Sequence, residues 1–74
     1  MDKLNEIVAR VFDIPIEQVN DQLERGKLEV WDSLNHLLLI NEIENEMAIV
    51  FTTEEVLEIN TFKDMRILVS KKRS

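Results

Sequence analysis

EVWDSLNHLLLINEIE, residues 29–44, is the stretch that decides how this chain folds. Asp32 precedes Ser33, and an apolar-rich segment then runs to about Met47. An aspartate at that place is a good helix N-cap, because its carboxylate accepts from first-turn amides that have no intrahelical partner. Ser33 becomes the first helical residue, at the positive end of the helix dipole, where an attached or bound phosphate is favoured. On a wheel of about 100° per residue with Ser33 at zero, His36, Leu39, Ile40, Ile43 and Met47 fall between roughly 240° and 340°. That is a stripe of ordinary core width. Leu34, Leu37, Leu38 and Asn41 fall between roughly 40° and 140°, on another side of the same helix. A helix in a small bundle needs only one apolar stripe. The second, rimmed by Asp32, Glu42 and Glu44, is expected to be a protein-docking surface.

The segments on either side complete the bundle. Leu4, Ile7, Val8, Val11 and Phe12 mark one face of a first helix that starts near Asp2 and stops near Asp13, since Pro15 disfavours helical geometry at Ile14. About eighteen residues then connect it to Asp32, with Ile16, Val19, Leu23 and Leu28 as apolar anchors. Thr52-x-x-Glu55 and Thr61-x-x-Asp64 resemble capping boxes. The first opens a short helix over Glu54 to Leu57, the second a final helix carrying Phe62, Met65, Leu68 and Val69. Ala48 to Phe51 reads as a connector and not a strand. The expected fold is all-α: a four-helix bundle of three main helices and one short one, with a long loop between the first two.

A length of 74 residues bounds this to a single domain, residues 1–74, with one modest core. The chain has no cysteine and one histidine, which excludes a disulfide framework, a protein thiol nucleophile and a multi-histidine metal site. His36, one turn after Ser33, invites a Ser–His pair with Asp32 as the third member. Three observations set it aside: Asp32 is needed as the cap, His36 lies with the core stripe, and a domain this small offers no evident oxyanion hole. A partly buried His36, hydrogen-bonded to the long loop, is expected instead, with Trp31 folded against the loop or the helix start. No catalysis is expected.

Charge is unevenly spread. Residues 13–62 contain twelve acidic side chains against Arg25 and Lys27, whereas residues 63–74 contain five basic ones against Asp64. An acidic body disfavours nucleic acid and favours basic protein partners. The basic end, residues 71–74, is expected to be a frayed, solvated tail. The longest apolar run inside the periodic segments is Leu37 to Ile40, too short for a bilayer, and the mixed charges of the N-terminus do not make a signal peptide. A soluble, cytoplasmic monomer without membrane contact is expected.

Asp32-Ser33-Leu34 at the start of the second long helix resembles the DSL signature of acyl carrier proteins. The likeness extends from about residue 3 to 70. It includes IEQVND (Ile16 to Asp21) in the long loop, EIENEM (Glu42 to Met47) at the end of the motif helix, and FTTEEVLEINTFKDM (Phe51 to Met65). The resemblance implies that a phosphopantetheinyl transferase attaches 4′-phosphopantetheine, taken from coenzyme A, to Ser33. It implies a non-catalytic carrier that holds acyl groups as thioesters and presents them to acyl-loading and acyl-transfer enzymes. Asp32, Leu34, Asn35, Leu37, Leu38, Asn41 and Glu44 are the expected partner-facing residues. Asn35 and Leu38 stand where the fatty-acid-synthesis type usually has acidic residues, Asn41 where it often has Met, and Trp31 where Gly or Ala is common. The chain therefore looks more like a stand-alone carrier of a polyketide, nonribosomal-peptide or surface-polysaccharide pathway than the fatty-acid carrier. An aminoacyl or peptidyl carrier shares the same features, and an unmodified interaction module on this fold is the reading from a different class.

Overall fold

The core stripes of the first, second and last helices become buried faces in the computed structural model, which describes residues 3–73. Four α-helices follow in order: α1 (Lys3–Phe12), α2 (Ser33–Met47), α3 (Thr53–Glu58) and α4 (Phe62–Arg73), with one 3-10 turn at Ile16–Gln18. The fold is a small all-α bundle. Asp2 and Ser74 lie outside the described residues.

α1 buries Leu4, Ile7, Val8 and Phe12, the expected face. Its end is built differently from the proline stop anticipated. Asp13 adopts a left-handed backbone at φ 55. The Asp13 amide donates to Arg10 O at 3.3 Å and the Ile14 amide to Ala9 O at 3.0 Å. This pair of bonds satisfies the last carbonyls of the helix in the Schellman manner, so the turn itself terminates α1 before Pro15 acts.

The long connection is anchored rather than loose. Val19 and Trp31 are buried, while Ile16, Leu23 and Leu28 are half-buried. Gly26, at φ 95, lets the chain reverse so that Leu28 N bonds Glu24 O at 3.1 Å; a side chain there would be strained by the backbone angle alone. Backbone bonds from Arg25 N to Asn60 O (2.7 Å) and from Phe62 N to Leu23 O (2.9 Å) tie this loop to the α3–α4 junction. These contacts join segments more than thirty residues apart in sequence, and the hydrophobic pattern gave no sign of them.

Thr52 and Glu55 form a full capping box at the start of α3, which extends one residue beyond the expected Glu54 to Leu57 at each end. Thr61 Oγ1 accepts from Asp64 N at 3.0 Å, opening α4 as expected. The C-terminus needs a correction: residues 71–73 are not a frayed tail but the last turn of α4. Lys72 Nζ lies 2.8 Å from Glu55 Oε1 and 5.5 Å from the centre of the Phe51 ring, pinning the end of α4 to the start of α3. The three basic residues also stand at the negative end of the helix dipole, which favours them there. Among the described residues no helix is long and apolar enough to cross a membrane, and no buried side-chain nitrogen or oxygen lacks a hydrogen-bond partner.

Candidate functional site

α2 is the central element, and its neighbours leave one side of it open. Arg10 of α1 bonds Glu42 at 3.1 Å and also pairs with Glu46, so α1 covers the side of α2 near 180–220° on the wheel above. On the other flank, His36 Nε2 bonds Val56 O at 2.8 Å, and Glu44 Oε2 accepts from Phe51 N at 2.8 Å. The segment carrying Phe51 and α3 therefore lies over the side near 300–20°, running antiparallel to α2. His36, Leu39, Ile40 and Ile43 are buried between these neighbours, as the core stripe predicts.

The side left open holds the second stripe. Leu34, Leu37 and Leu38 are 67, 58 and 48 % exposed, and Asn41 is exposed beside them. Exposure of three neighbouring leucines on one face departs from the single exposed apolar side chains common on protein surfaces. Ser33 is exposed at the first position of α2. Asp32 is the N-cap; its Oδ1 accepts from Asn35 N at 2.8 Å. The exposed Ser33 thus sits where the open leucine face meets the N-terminus of α2.

Three of the expected partner-facing residues have structural duties. Asp32 caps. Asn35 is half-buried and its Nδ2 donates to Val30 O at 2.8 Å, fixing the chain as it enters α2. Glu44 holds the Phe51 amide, so its carboxylate is turned toward the α2–α3 connection. Of the acidic rim anticipated around the leucines, Glu42 and Glu44 are half-buried and engaged with neighbouring elements, while Asp32 is exposed. The open face after Ser33 is accordingly apolar, with the exposed Asp32 carboxylate at its start.

His36 is 3 % exposed and joins three elements. The Trp31 indole Nε1–H donates to His36 Nδ1 at 2.9 Å, and the ring stacks near Trp31, which in turn packs on Phe12. An indole N–H can only donate, so Nδ1 must keep its lone pair and the neutral ring carries its proton on Nε2, facing the Val56 carbonyl. Burial lowers the His36 pKa below its ordinary value; the Val56 carbonyl opposes this, and Arg25 adds to the lowering. Both ring nitrogens are committed to Trp31 and Val56, away from the Ser33 hydroxyl. The bond to the loop was expected. The bond to α3 was not, and nothing local in the sequence marks Val56 as its acceptor. Two more exposed apolar side chains, Val50 and Leu57, precede and belong to α3, outside the stripes read from the sequence.

Compared with known proteins, the chain matches no family model and no curated sequence.

Proposed function

We propose that this protein is a carrier: an acyl carrier that holds its cargo as a thioester on a 4′-phosphopantetheine arm attached to Ser33. The observation that carries this reading is the exposed Ser33 hydroxyl at the first position of α2, bordered by an exposed leucine face. The N-terminal amides and dipole of a fifteen-residue helix favour the negative charge of a phosphodiester at that position. The arm supplies the thiol for thioester chemistry, which a chain without cysteine does not provide itself. Asp32 and Asn35 fix the entry into α2 and so hold Ser33 at a defined place. Leu34, Leu37, Leu38 and Asn41 offer an apolar docking face to the phosphopantetheinyl transferase and to the enzymes that load and unload the arm.

The uncharged face of Leu34, Leu37, Leu38 and Asn41 favours a dedicated carrier of a polyketide, nonribosomal-peptide or surface-polysaccharide pathway over fatty-acid synthesis. An aminoacyl or peptidyl cargo fits the same features. The exposed leucines also support a second reading, an unmodified interaction module that uses only that face. Incubation of the apo-protein with coenzyme A, magnesium and several broad-specificity transferases, followed by intact mass, separates the two. A gain of one phosphopantetheine that disappears in Ser33→Ala supports the carrier. No gain with any transferase rejects it and leaves the interaction module.

A further inference from the structure

The first amides of a helix have no partner within it, so a residue at the first position is fixed mainly by what flanks it. Ser33 holds that position in α2. We propose that Trp31 and His36 are positioning residues for phosphopantetheine transfer: their side chains join across Ser33 and hold its hydroxyl where the transfer requires it. This rests on the carrier reading.

Hydrogen bonds connect residues 30–32, before Ser33, with residues 35 and 36, after it. Asp32 supplies those of any capped helix: its Oδ1 accepts from Asn35 N at 2.8 Å and its carbonyl from His36 N at 2.9 Å. Two more are made by other side chains. Asn35 Nδ2 donates to Val30 O at 2.8 Å, and Trp31 Nε1–H donates to His36 Nδ1 at 2.9 Å. None of these bonds uses the hydroxyl of the exposed Ser33. The Trp31–His36 bridge is the stiffer of the last two. Trp31 is 1 % and His36 3 % exposed, so water does not compete for the bond. Trp31 is itself held, its amide donating to Leu28 O at 2.9 Å and its ring packing on Phe12. His36 is held through its second nitrogen, 2.8 Å from Val56 O. The two rings thus carry the placement of the long loop and of α3 to the residue between them. Packing alone does not call for this pair, because two apolar side chains fill such a space without the cost of burying polar groups. A hydrogen bond adds what packing lacks, a preferred direction.

In the transfer, Ser33 Oγ attacks the β-phosphorus of coenzyme A. The Oγ–P bond forms as the bond from that phosphorus to the bridging pyrophosphate oxygen breaks. Adenosine 3′,5′-bisphosphate leaves with the electron pair, and the hydroxyl proton passes to a base of the transferase. A nucleophile displaced by about 1 Å can cost about a hundredfold in rate. The leucine face that docks the transferase is not part of the bridge, so loss of the bridge acts on kcat and leaves KM for the carrier nearly unchanged.

The test measures kcat and KM for transfer to the whole chain, using the transferase most active on the wild-type protein, under conditions where urea curves show each variant folded. Trp31→Phe is expected to lower kcat by about tenfold or more, with KM changed by less than about twofold. Val69→Ala truncates the core beside Met47, at the far end of α2, and controls for stability alone; it is expected to leave both constants unchanged. The amide of His36→Asn is short enough to accept from Trp31 but does not reach Val56, whereas that of His36→Gln reaches Val56 and passes Trp31. His36→Asn is therefore expected to keep most of the wild-type kcat and His36→Gln to lose it. The Trp31 Nε1–H resonance, downfield while the bond is kept, identifies the bridged variants, and kcat is expected to follow it. A Trp31→Phe protein with the wild-type kcat, an equal loss in Val69→Ala, or a kcat indifferent to that resonance overturns the proposal. If Trp31→Phe does not fold, the two His36 variants decide. No transfer to the wild-type chain would reject the carrier reading and this inference with it; wild-type transfer that Trp31→Phe matches overturns this inference alone.

Discussion

Removing the Trp31–His36 hydrogen bond should destabilise the whole bundle, in a way that depends on both partners and on pH. Trp31→Phe deletes the indole donor to Nδ1 and leaves that lone pair on a His36 that is 3 % exposed. A buried group without its partner costs about 1–3 kcal/mol, to which the lost indole volume adds a cavity term. A chain of 74 residues has on the order of 4–11 kcal/mol of stability in total, so the loss is a large share of it. His36→Leu removes the side-chain partner of both the Trp31 N–H and the Val56 carbonyl. The double variant leaves only the carbonyl, so its loss should fall short of the sum of the single losses by about 1 kcal/mol or more. Urea unfolding followed by far-ultraviolet circular dichroism is the assay, because Trp31 is the only tryptophan and its fluorescence disappears in the variant. The pH dependence follows from the same geometry. The folded-state pKa of His36 is lowered below 6.5, so between that value and 6.5 the unfolded chain binds more protons than the folded one. Stability from this group is therefore full above about pH 6.5 and is lost as pH falls through the folded pKa. His36→Leu should be flat across that window. Strict additivity of the two substitutions, or a folded His36 that titrates at or above 6.5 by nuclear magnetic resonance, would refute the bonding scheme.

Other consequences are equally direct. Ala48 closes α2 with a left-handed backbone at φ 55, where a Cβ is unfavourable; Ala48→Gly should raise the urea midpoint, with a gain of about 0.5–1 kcal/mol. Lys72→Ala should lower the midpoint although the residue lies two positions before Ser74, since it pairs with Glu55 and covers Phe51; no change would restore the frayed tail. Lys72 holds Glu55, and Arg66 holds Asp21, below their usual carboxylate range. Their contribution is present above their ordinary pKa and is lost as pH falls through the lowered values, a second acid phase below that of His36. Residues 13–62 carry a large excess of carboxylates, so salt or divalent cations should raise the melting temperature; a value that moved with neither would argue against self-repulsion.

Most of the fold could be read from local pattern. The caps at Asp32, Thr52 and Thr61, the buried faces of α1, α2 and α4, and the opposite orientations of His36 and Leu34 on α2 all follow from spacing, because a helix turns by a fixed angle and its ends need fixed chemistry. The exposure of Leu34, Leu37 and Leu38 also followed, from a count of how little chain was left to cover them. What the sequence could not show was which groups meet across the bundle. Val56 O as the acceptor of His36, Glu44 as the clamp on Phe51, and Lys72 as the tie from α4 to α3 join residues 7 to 20 positions apart. Their partners are set by how helices are placed in space, and a backbone carbonyl such as that of Val56 has no signature in the side-chain sequence. For the same reason a row of acidic residues read as one rim proved to be divided: Asp32 caps its helix, Glu42 pairs with Arg10 of α1 at the surface, and Glu44 is held by the amide of Phe51. The sequence by itself determined the helices and which face of each is apolar; only tertiary structure decided where the polar groups between those helices are bound.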